Sequence, residues 1–447
     1  MTLGLMSGVF LRPVLAQEAG LAAIADPPPL EPTSPVNVPV PPLADPDTAM
    51  DLPVTPASQI DPNAVFLHQG DGSPARNFSD QRFGYVLHGE TSAAYESNIF
   101  IQNVNAQHDF IFTVAPGLAL GWGDFKGELY GPDSFRYRFE RYVGKNFIYA
   151  DYSPSYSWFA NHTEENGLQH DARLNGEWTH QKLTLGIRAS YVTKNSPEAD
   201  VGARVEIRRT DVALTSSYQY SGKTAFEVNA YYDSVDYDNN EVDSKEWRNQ
   251  NWIAYQLSPK IKVGLGETVA HVERSVGPAQ NYEQGLLRLQ YVASEKLTIA
   301  LSGGVEFRQT DGGVDRTFGT FSLNAVWAPA DGTYIYVQGY RSANVSGALG
   351  EDYFVGTGVQ VQFRQRILQK FYFNLGVGYQ NSDYQSSSGS PDFGRNDNLF
   401  FVRPGLGFDL ATWLNCELTG EYRKNDSTIT QRQFDATTAM VKFSALF

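Results

Sequence analysis

The sequence predicts a closed antiparallel transmembrane β-barrel of about eighteen strands, with sixteen as the alternative count. Three observations predict it. An apolar/polar alternation of period two persists from about Arg82 to the last residue, and short connections exchange regularly with long ones. The composition is rich in Gly (40), Phe (27) and Tyr (25), while charged residues make up only 19% of the 447 residues.

The alternation is clearest from Leu414 to Arg423. Leu414, Cys416, Leu418, Gly420 and Tyr422 share one face, and Asn415, Glu417, Thr419, Glu421 and Arg423 share the other, because successive side chains of a strand point to opposite faces. Phe371, Phe373, Leu375, Val377 and Tyr379 oppose Tyr372, Asn374, Gly376, Gly378 and Gln380 in the same way. Leu297, Ile299, Leu301, Val305 and Phe307 oppose Thr298, Ser302, Glu306 and Arg308, and Leu183, Leu185, Ile187 and Tyr191 oppose Thr184, Arg188 and Ser190. Helical spacing would scatter these residues around an axis. Beyond the N-terminal segment, no apolar run reaches the roughly eighteen residues of a membrane-spanning helix. A membrane-spanning strand needs only about ten residues with one apolar face, so a negative mean hydropathy is compatible with a barrel.

Short links fall at His180-Gln181-Lys182, Ser221-Gly222-Lys223, Ser258-Pro259-Lys260, Ser294-Glu295-Lys296, Ala330-Asp331-Gly332, Leu368-Gln369-Lys370 and Ala411-Thr412-Trp413. Longer polar links lie between them, at Asn195 to Val201, Gly277 to Asn281, Ser342 to Asp352 and Ser382 to Asp397. Barrels of the outer membrane alternate in this way, with short turns in the periplasm and longer loops outside. Trp178, Tyr191, Trp252, Tyr255, Tyr291, Trp327, Tyr379 and Trp413 flank turns or loop starts and are expected to form aromatic girdles at the two interfaces.

Residues 1–16 read as an export signal: Leu3 to Leu15 is modestly apolar and leads into Val14-Leu15-Ala16, although only Arg12 supplies positive charge. Residues 17–81, densest in proline from Pro27 to Pro56, read as a largely disordered periplasmic segment. Residues 82–447 form the barrel, within which Asp124 to Asn146 lacks clean alternation and reads as an unusual periplasmic segment. At the C-terminus Ala439, Val441, Phe443, Ala445 and Phe447 share a face opposite Lys442 and Ser444. This aromatic ending resembles the signal, carried here by Phe443 and Phe447, that barrel-assembly machinery recognises.

A net charge of −15 without any Lys/Arg-rich block excludes binding to nucleic acid through phosphate neutralisation. The single cysteine, Cys416, excludes an intramolecular disulfide and leaves no zinc or redox motif. The pairs Gly264/Gly266, Gly356/Gly358, Gly376/Gly378 and Gly405/Gly407 lie inside alternating strands with no following helix, so they read as small residues in a crowded wall rather than nucleotide loops. The acidic stretch Asp236, Asp238, Asn239, Asn240, Glu241 and Asp243 lacks the order of a calcium loop, and His162 and His170 with Glu164 and Glu165 form no paired metal motif. No Gly-x-Ser-x-Gly elbow occurs. No cofactor, metal or catalytic residue is expected. The candidate functional residues are charges on the inward face: Arg173, Glu177, Arg188, Glu227, Asp233, Arg288, Glu306, Arg308, Arg403, Glu417, Glu421, Arg423 and Lys442. Such rows either set a transverse field that filters solutes or pair with one another to stabilise a polar interior.

The segment Tyr95-Glu96-Ser97-Asn98-Ile99-Phe100, followed by Asp109 and Val114-Ala115-Pro116-Gly117-Leu118, resembles the β-barrel porin 2 family, in which these motifs end the first strand and mark the second. Tyr152-Ser153-Pro154-Ser155-Tyr156 to Phe159 looks like that family's next strand, and Asp124 to Asn146 departs from its pattern. The resemblance spans roughly Arg82 to Phe447. It implies a barrel in outer-membrane lipid, associated in some systems with exopolysaccharide secretion. Together with the alternation it leads to an expected porin-like channel, not an enzyme, for small hydrophilic solutes or for polysaccharide export. The alternative is an outer-membrane adhesin or enzyme working through its extracellular loops.

Overall fold

The computed structural model describes residues 76–77, 83–123, 128–129 and 146–447, apart from 239–240, 295, 331, 369, 387–392 and 412. The expected export signal, nearly all of the proline-rich segment and most of Asp124 to Asn146 lie outside the described residues.

Eighteen strands close into one antiparallel barrel. In chain order they are β1 (Phe83–Glu96), β2 (Asp109–Gly123), β3 (Asn146–Tyr152 and Ser155–Phe159), β4 (Gly167–Gln169 and Asp171–His180), β5 (Leu183–Glu198) and β6 (Ala203–Gln219). β7 (Thr224–Tyr237), β8 (Ser244–Ser258), β9 (Ile261–Arg274), β10 (Gln280–Ser294), β11 (Leu297–Thr310) and β12 (Arg316–Trp327) follow. The last six are β13 (Thr333–Val345), β14 (Glu351–Arg366), β15 (Phe371–Ser386), β16 (Asn396–Ala411), β17 (Leu414–Ser427) and β18 (Phe434–Leu446). Closure comes from β1 pairing with β18, His88 opposite Leu446 through Glu96 opposite Thr438, so no strand of the barrel is left with an open edge; Arg76–Asn77 and Glu128–Leu129 form a separate short pair. β3 is broken at Ser153-Pro154, where proline cannot donate to the ladder. Its first half pairs with the second half of β4, and its second half with the first.

The short links all join strands at one end, which also receives the start of β1 and the end of β18. The long links are shorter than the alternation suggests: 346–350 joins β13 to β14, 199–202 joins β5 to β6, and 387–395 joins β15 to β16. Toward this end polar residues also occupy the outer face, as at Glu273, Asp383 and Lys424, so the alternation fades while the backbone ladder continues.

The outer face is apolar. Leu214, Ile253, Leu265, Leu287, Phe307, Leu406 and Leu418 are each more than half exposed on it. Trp178, Tyr191, Tyr255, Tyr291, Trp327, Tyr379 and Trp413 stand exposed. Trp252, expected among them, does not. It is 3% exposed, packs inside the wall beneath the Arg288 guanidinium (4.4 Å to the ring centroid) and donates Nε1–H to Gln250 Oε1 at 2.9 Å. The cause is parity on β8, together with Gly266: a Cβ there would lie 2.4 Å from the indole. Gly358 and Gly407 give the same room to the inward rings of Tyr340 and Tyr372.

Candidate pore lining and outer mouth

The inner face divides into a filled half and an open half. Along β7 to β11 the predicted charges satisfy one another. Arg288 donates to Glu227 at 2.9 Å, and Lys262 reaches the same carboxylate at 3.2 Å. Arg308 donates from Nε to Glu306 at 2.7 Å and from Nη1 to Gln280 at 2.6 Å, while Gln284 donates to Glu306 at 2.8 Å. Glu306 is wholly buried, and the Arg308 guanidinium also lies 4.4 Å from the Tyr282 ring centroid. A buried charge persists only with partners of this kind. Further round, Gln338 pairs with Gln360 and Tyr336 with Asn324, so this half is packed polar side chains.

The open half encloses a cavity of about 770 Å³ lined from β1 through β8, from β16 to β18, and by Ala343 to Val345, Gly347 and Phe354 of the β13–β14 hairpin. Of the predicted residues, Arg173, Arg188, Asp233, Arg403, Glu417, Glu421 and Lys442 line it. Glu227, Arg288, Glu306, Arg308 and Arg423 do not; each is taken up in contacts within the wall. Glu177 is on the same inner parity near the periplasmic end, outside the cavity lining. Arg173 is held by Asp171 at 2.8 Å, Arg403 by Glu421 at 2.6 Å, and Asp233 by Arg248 at 3.3 Å. Arg188, between Asn175 and Ala213 in register, has no ion pair among the described residues. Glu90, on β1, likewise has none. Arg188 and Glu90 are therefore charges of the cavity wall without an ion partner among the described residues.

The long-link end is closed by a hairpin folded inward. β12 and β13 pair only from Phe321 opposite Arg341 to Trp327 opposite Ile335, so 316–320 and 342–345 form no ladder with each other. Past that point β13 parts from β12, while β14 stays paired with β15 as far as Glu351 opposite Ser386. One face of the β13–β14 hairpin, Ala343, Tyr353 and Val355, packs against Phe318 of β12, and Tyr353 also meets Arg308. Its other face places Phe354 among Ile101, Ala199, Tyr384, Phe434 and Ala436. The tip is then held across the mouth. Asp200, in the β5–β6 link, accepts from Ser346 Oγ at 2.8 Å and from Gly347 N at 2.7 Å. Gly347 O accepts from Val242 N at 2.8 Å. Arg274 donates to Asp352 at 3.0 Å and Gln280 donates to the Asp352 carbonyl at 3.1 Å. Arg395 donates to the Asp200 and Ala199 carbonyls at 2.6 and 2.8 Å. At 347 a Cβ would lie 2.5 Å from the Tyr237 hydroxyl, so any side chain there would have to displace that ring. Glu241, in the β7–β8 link, has its pKa raised chiefly by burial, with Arg432 opposing the shift and Asp200 adding to it.

A family model described as a protein of unknown function, DUF481, matches residues 281–438. No curated protein matches the chain in sequence. Among solved structures, the chain is similar to the outer membrane protein OpdK from Pseudomonas aeruginosa, with 12% identity, 81% of this chain and 99% of that chain covered, and a TM-score of 0.42. OccAB4 from Acinetobacter baumannii is similar over 83% of this chain and 100% of its own, with 12% identity and a TM-score of 0.44. A BenF-like porin from Pseudomonas fluorescens Pf-5 covers the same shares with 10% identity and a TM-score of 0.43.

The residues that close the mouth were not anticipated. The alternation assigns Asp200 and Ser342 to Asp352 only to long polar links between strands. The signal was present in Tyr353-Phe354-Val355, where three apolar residues in succession break the alternation. A strand apolar on both faces is one buried on both faces. Of the two histidines, His162 Nδ1 and N meet buried Asp109 at 2.9 and 2.8 Å, and His170 stacks on Tyr152. Among the described residues no His/Cys/Asp/Glu group is arranged to hold a metal ion.

Proposed function

We propose that this chain is an outer-membrane channel for small hydrophilic solutes whose outer mouth is opened and closed by the β13–β14 hairpin. The observation that carries the reading is the coexistence of an apolar exterior with a charged interior cavity of about 770 Å³ under a hairpin that is unzipped from β12 on one side and still paired with β15 on the other. Apolar side chains facing outward around a closed barrel are stable only against hydrocarbon. Water in the bore solvates the inward charges, and Arg188 and Glu90 give a permeating solute a charge of each sign to meet.

The register supplies the opening motion. Continuing the β12–β13 ladder beyond Phe321 opposite Arg341 would set Thr320 opposite Ser342 and Phe318 opposite Asn344. Thr320 Oγ1 and Ser342 Oγ are both buried with no hydrogen-bond partner among the described residues. Zipping this segment replaces the contacts at the tip with ladder hydrogen bonds, which makes the hairpin a two-state element of the kind gating requires. A cavity of this size suits sugars and organic acids of a few rings rather than a polymer chain.

Liposome swelling tests the reading. Proteoliposomes should swell in small sugars and organic acids and fail to swell in oligosaccharides above a size limit. A protein that swells vesicles in no solute, with its hairpin contacts intact or cut, would overturn it. Phe447, whose backbone exchanges hydrogen bonds with Leu87 and whose ring lies against Trp413, sits with Phe443 on the outer face of the closing strand, where an assembly factor could read both.

A further inference from the structure

Glu267 of β9, Glu283 of β10 and Arg341 of β13 stand on the outer face among apolar side chains, and none has an opposite charge within ion-pair distance among the described residues; Glu267 lies deepest of the carboxylates. Glu267 of β9 lies between Leu265 (61% exposed) and Val269 (53% exposed), with Asn251 Nδ2 donating to it at 3.3 Å and Asn249 next on the same strand face. Gly285 is its cross-strand neighbour on β10 and leaves the carboxylate standing proud of the wall. Arg341 of β13 lies between Phe321 and Thr357 in register and donates from Nη1 to Thr357 Oγ1 at 2.7 Å. Counting along tilted strands, Glu267 is about 15 Å and Arg341 about 20 Å above the periplasmic ends of their strands, inside a belt about 25 Å tall.

A charge facing lipid at such depth is destabilising, and polar groups there act as contacts between membrane-embedded partners. We propose that these two sites are the two halves of one interface between copies of this chain, Glu267 of one protomer meeting Arg341 of the partner subunit, in a closed ring. This rests on the membrane-spanning reading above. A two-fold dimer whose axis passes through either strand would set like charges together, and one whose axis passes between the strands would turn each Glu267 toward the partner's Arg341 but hold them apart, because both lie well off the contact line on the curve of the barrel. A head-to-tail contact sets the carboxylate against the guanidinium, and such contacts close into rings. In an eighteen-stranded barrel each strand takes about 20° of the circumference, so β9 and β13 face directions about 80° apart. Neighbour directions in a ring differ by about 60° for three copies and about 90° for four, so the ring has about three or four members. In the low dielectric of the bilayer the pair attracts far more strongly than on a wetted surface.

The test uses the full-length protein extracted from membranes into mild detergent and into lipid nanodiscs, with mass determined by light scattering. The wild type should be a ring of three or four, Glu267→Arg and Arg341→Glu should each yield single barrels, and the double reversal should restore the ring. In a Cys416→Ser background, oxidising a mixture of Glu267→Cys and Arg341→Cys should cross-link neighbours only between unlike variants. Heat-dependent gel mobility shows that each barrel is folded, and the cysteine variants, which carry no reversed charge, cover the case of a reversal that does not fold. A wild type that is a single barrel in nanodiscs, or a ring indifferent to both reversals, overturns the proposal. A chain recovered without detergent in the soluble fraction would instead overturn the membrane reading itself.

Discussion

Replacing Asp200 by alanine should open the channel. Its carboxylate is 6% exposed and accepts two hydrogen bonds from the hairpin tip, from Ser346 Oγ at 2.8 Å and Gly347 N at 2.7 Å. Hydrogen bonds to a charged group contribute about 1.5–3 kcal/mol each, so the closed state loses roughly 3–6 kcal/mol. At about 1.4 kcal/mol per tenfold, the closed-to-open ratio falls by roughly two to four orders of magnitude. Asn at this position keeps one acceptor oxygen and loses the other, so Asp200→Asn should fall between wild type and Asp200→Ala. Single-channel recording in planar bilayers reads the open fraction directly. A folded Asp200→Ala barrel with the same open fraction as wild type would refute the assignment of the hairpin as the gate, because no other change in the structure offsets the loss.

Three further outcomes follow from the inner face. Glu306→Ala leaves the wholly buried Arg308 without its carboxylate and should lower unfolding stability by about 3–5 kcal/mol, measured by denaturant titration in micelles; adding Arg308→Met should recover most of it. Arg188→Glu removes a guanidinium of the cavity wall that has no ion partner among the described residues and should shift reversal potentials toward cation preference, whereas Arg288→Gln, whose charge is already compensated by Glu227, should shift them much less. Deleting Phe447 removes two backbone hydrogen bonds to Leu87 at the closing seam and should reduce the yield of heat-modifiable, membrane-inserted barrel.

The barrel itself was legible because lipid and water impose opposite demands on neighbouring residues. Leu414 to Arg423 could be sorted by eye, and the structure places Leu418 outside and Glu417 inside as that sorting requires. Trp252 was misplaced because an inward ring in a packed half has the same sequence surroundings as an outward ring at an interface. Its true position depends on Gly266, a cross-strand neighbour that only the register identifies. For the same reason the sequence located the inward charges but not which remain free. Arg288 and Arg188 are alike in the chain, and the difference lies in Glu227, brought opposite Arg288 only by closure of several strands. The closed mouth was hidden more deeply. Asp200 and Gly347 are 147 residues apart, and a solvated loop with the same polar residues would read identically.

The sharpest test compares adjacent residues on β6. Ala213 lines the cavity, and Leu214 is 52% exposed on the opposite face. Spin labels on cysteines at the two positions, in the Cys416→Ser background and in lipid vesicles, should separate cleanly. The label at 213 should collide with a water-soluble relaxation agent, and the label at 214 with dissolved oxygen in the bilayer. Equal exposure of both labels to the aqueous agent would contradict the barrel's place in the membrane and everything built on it.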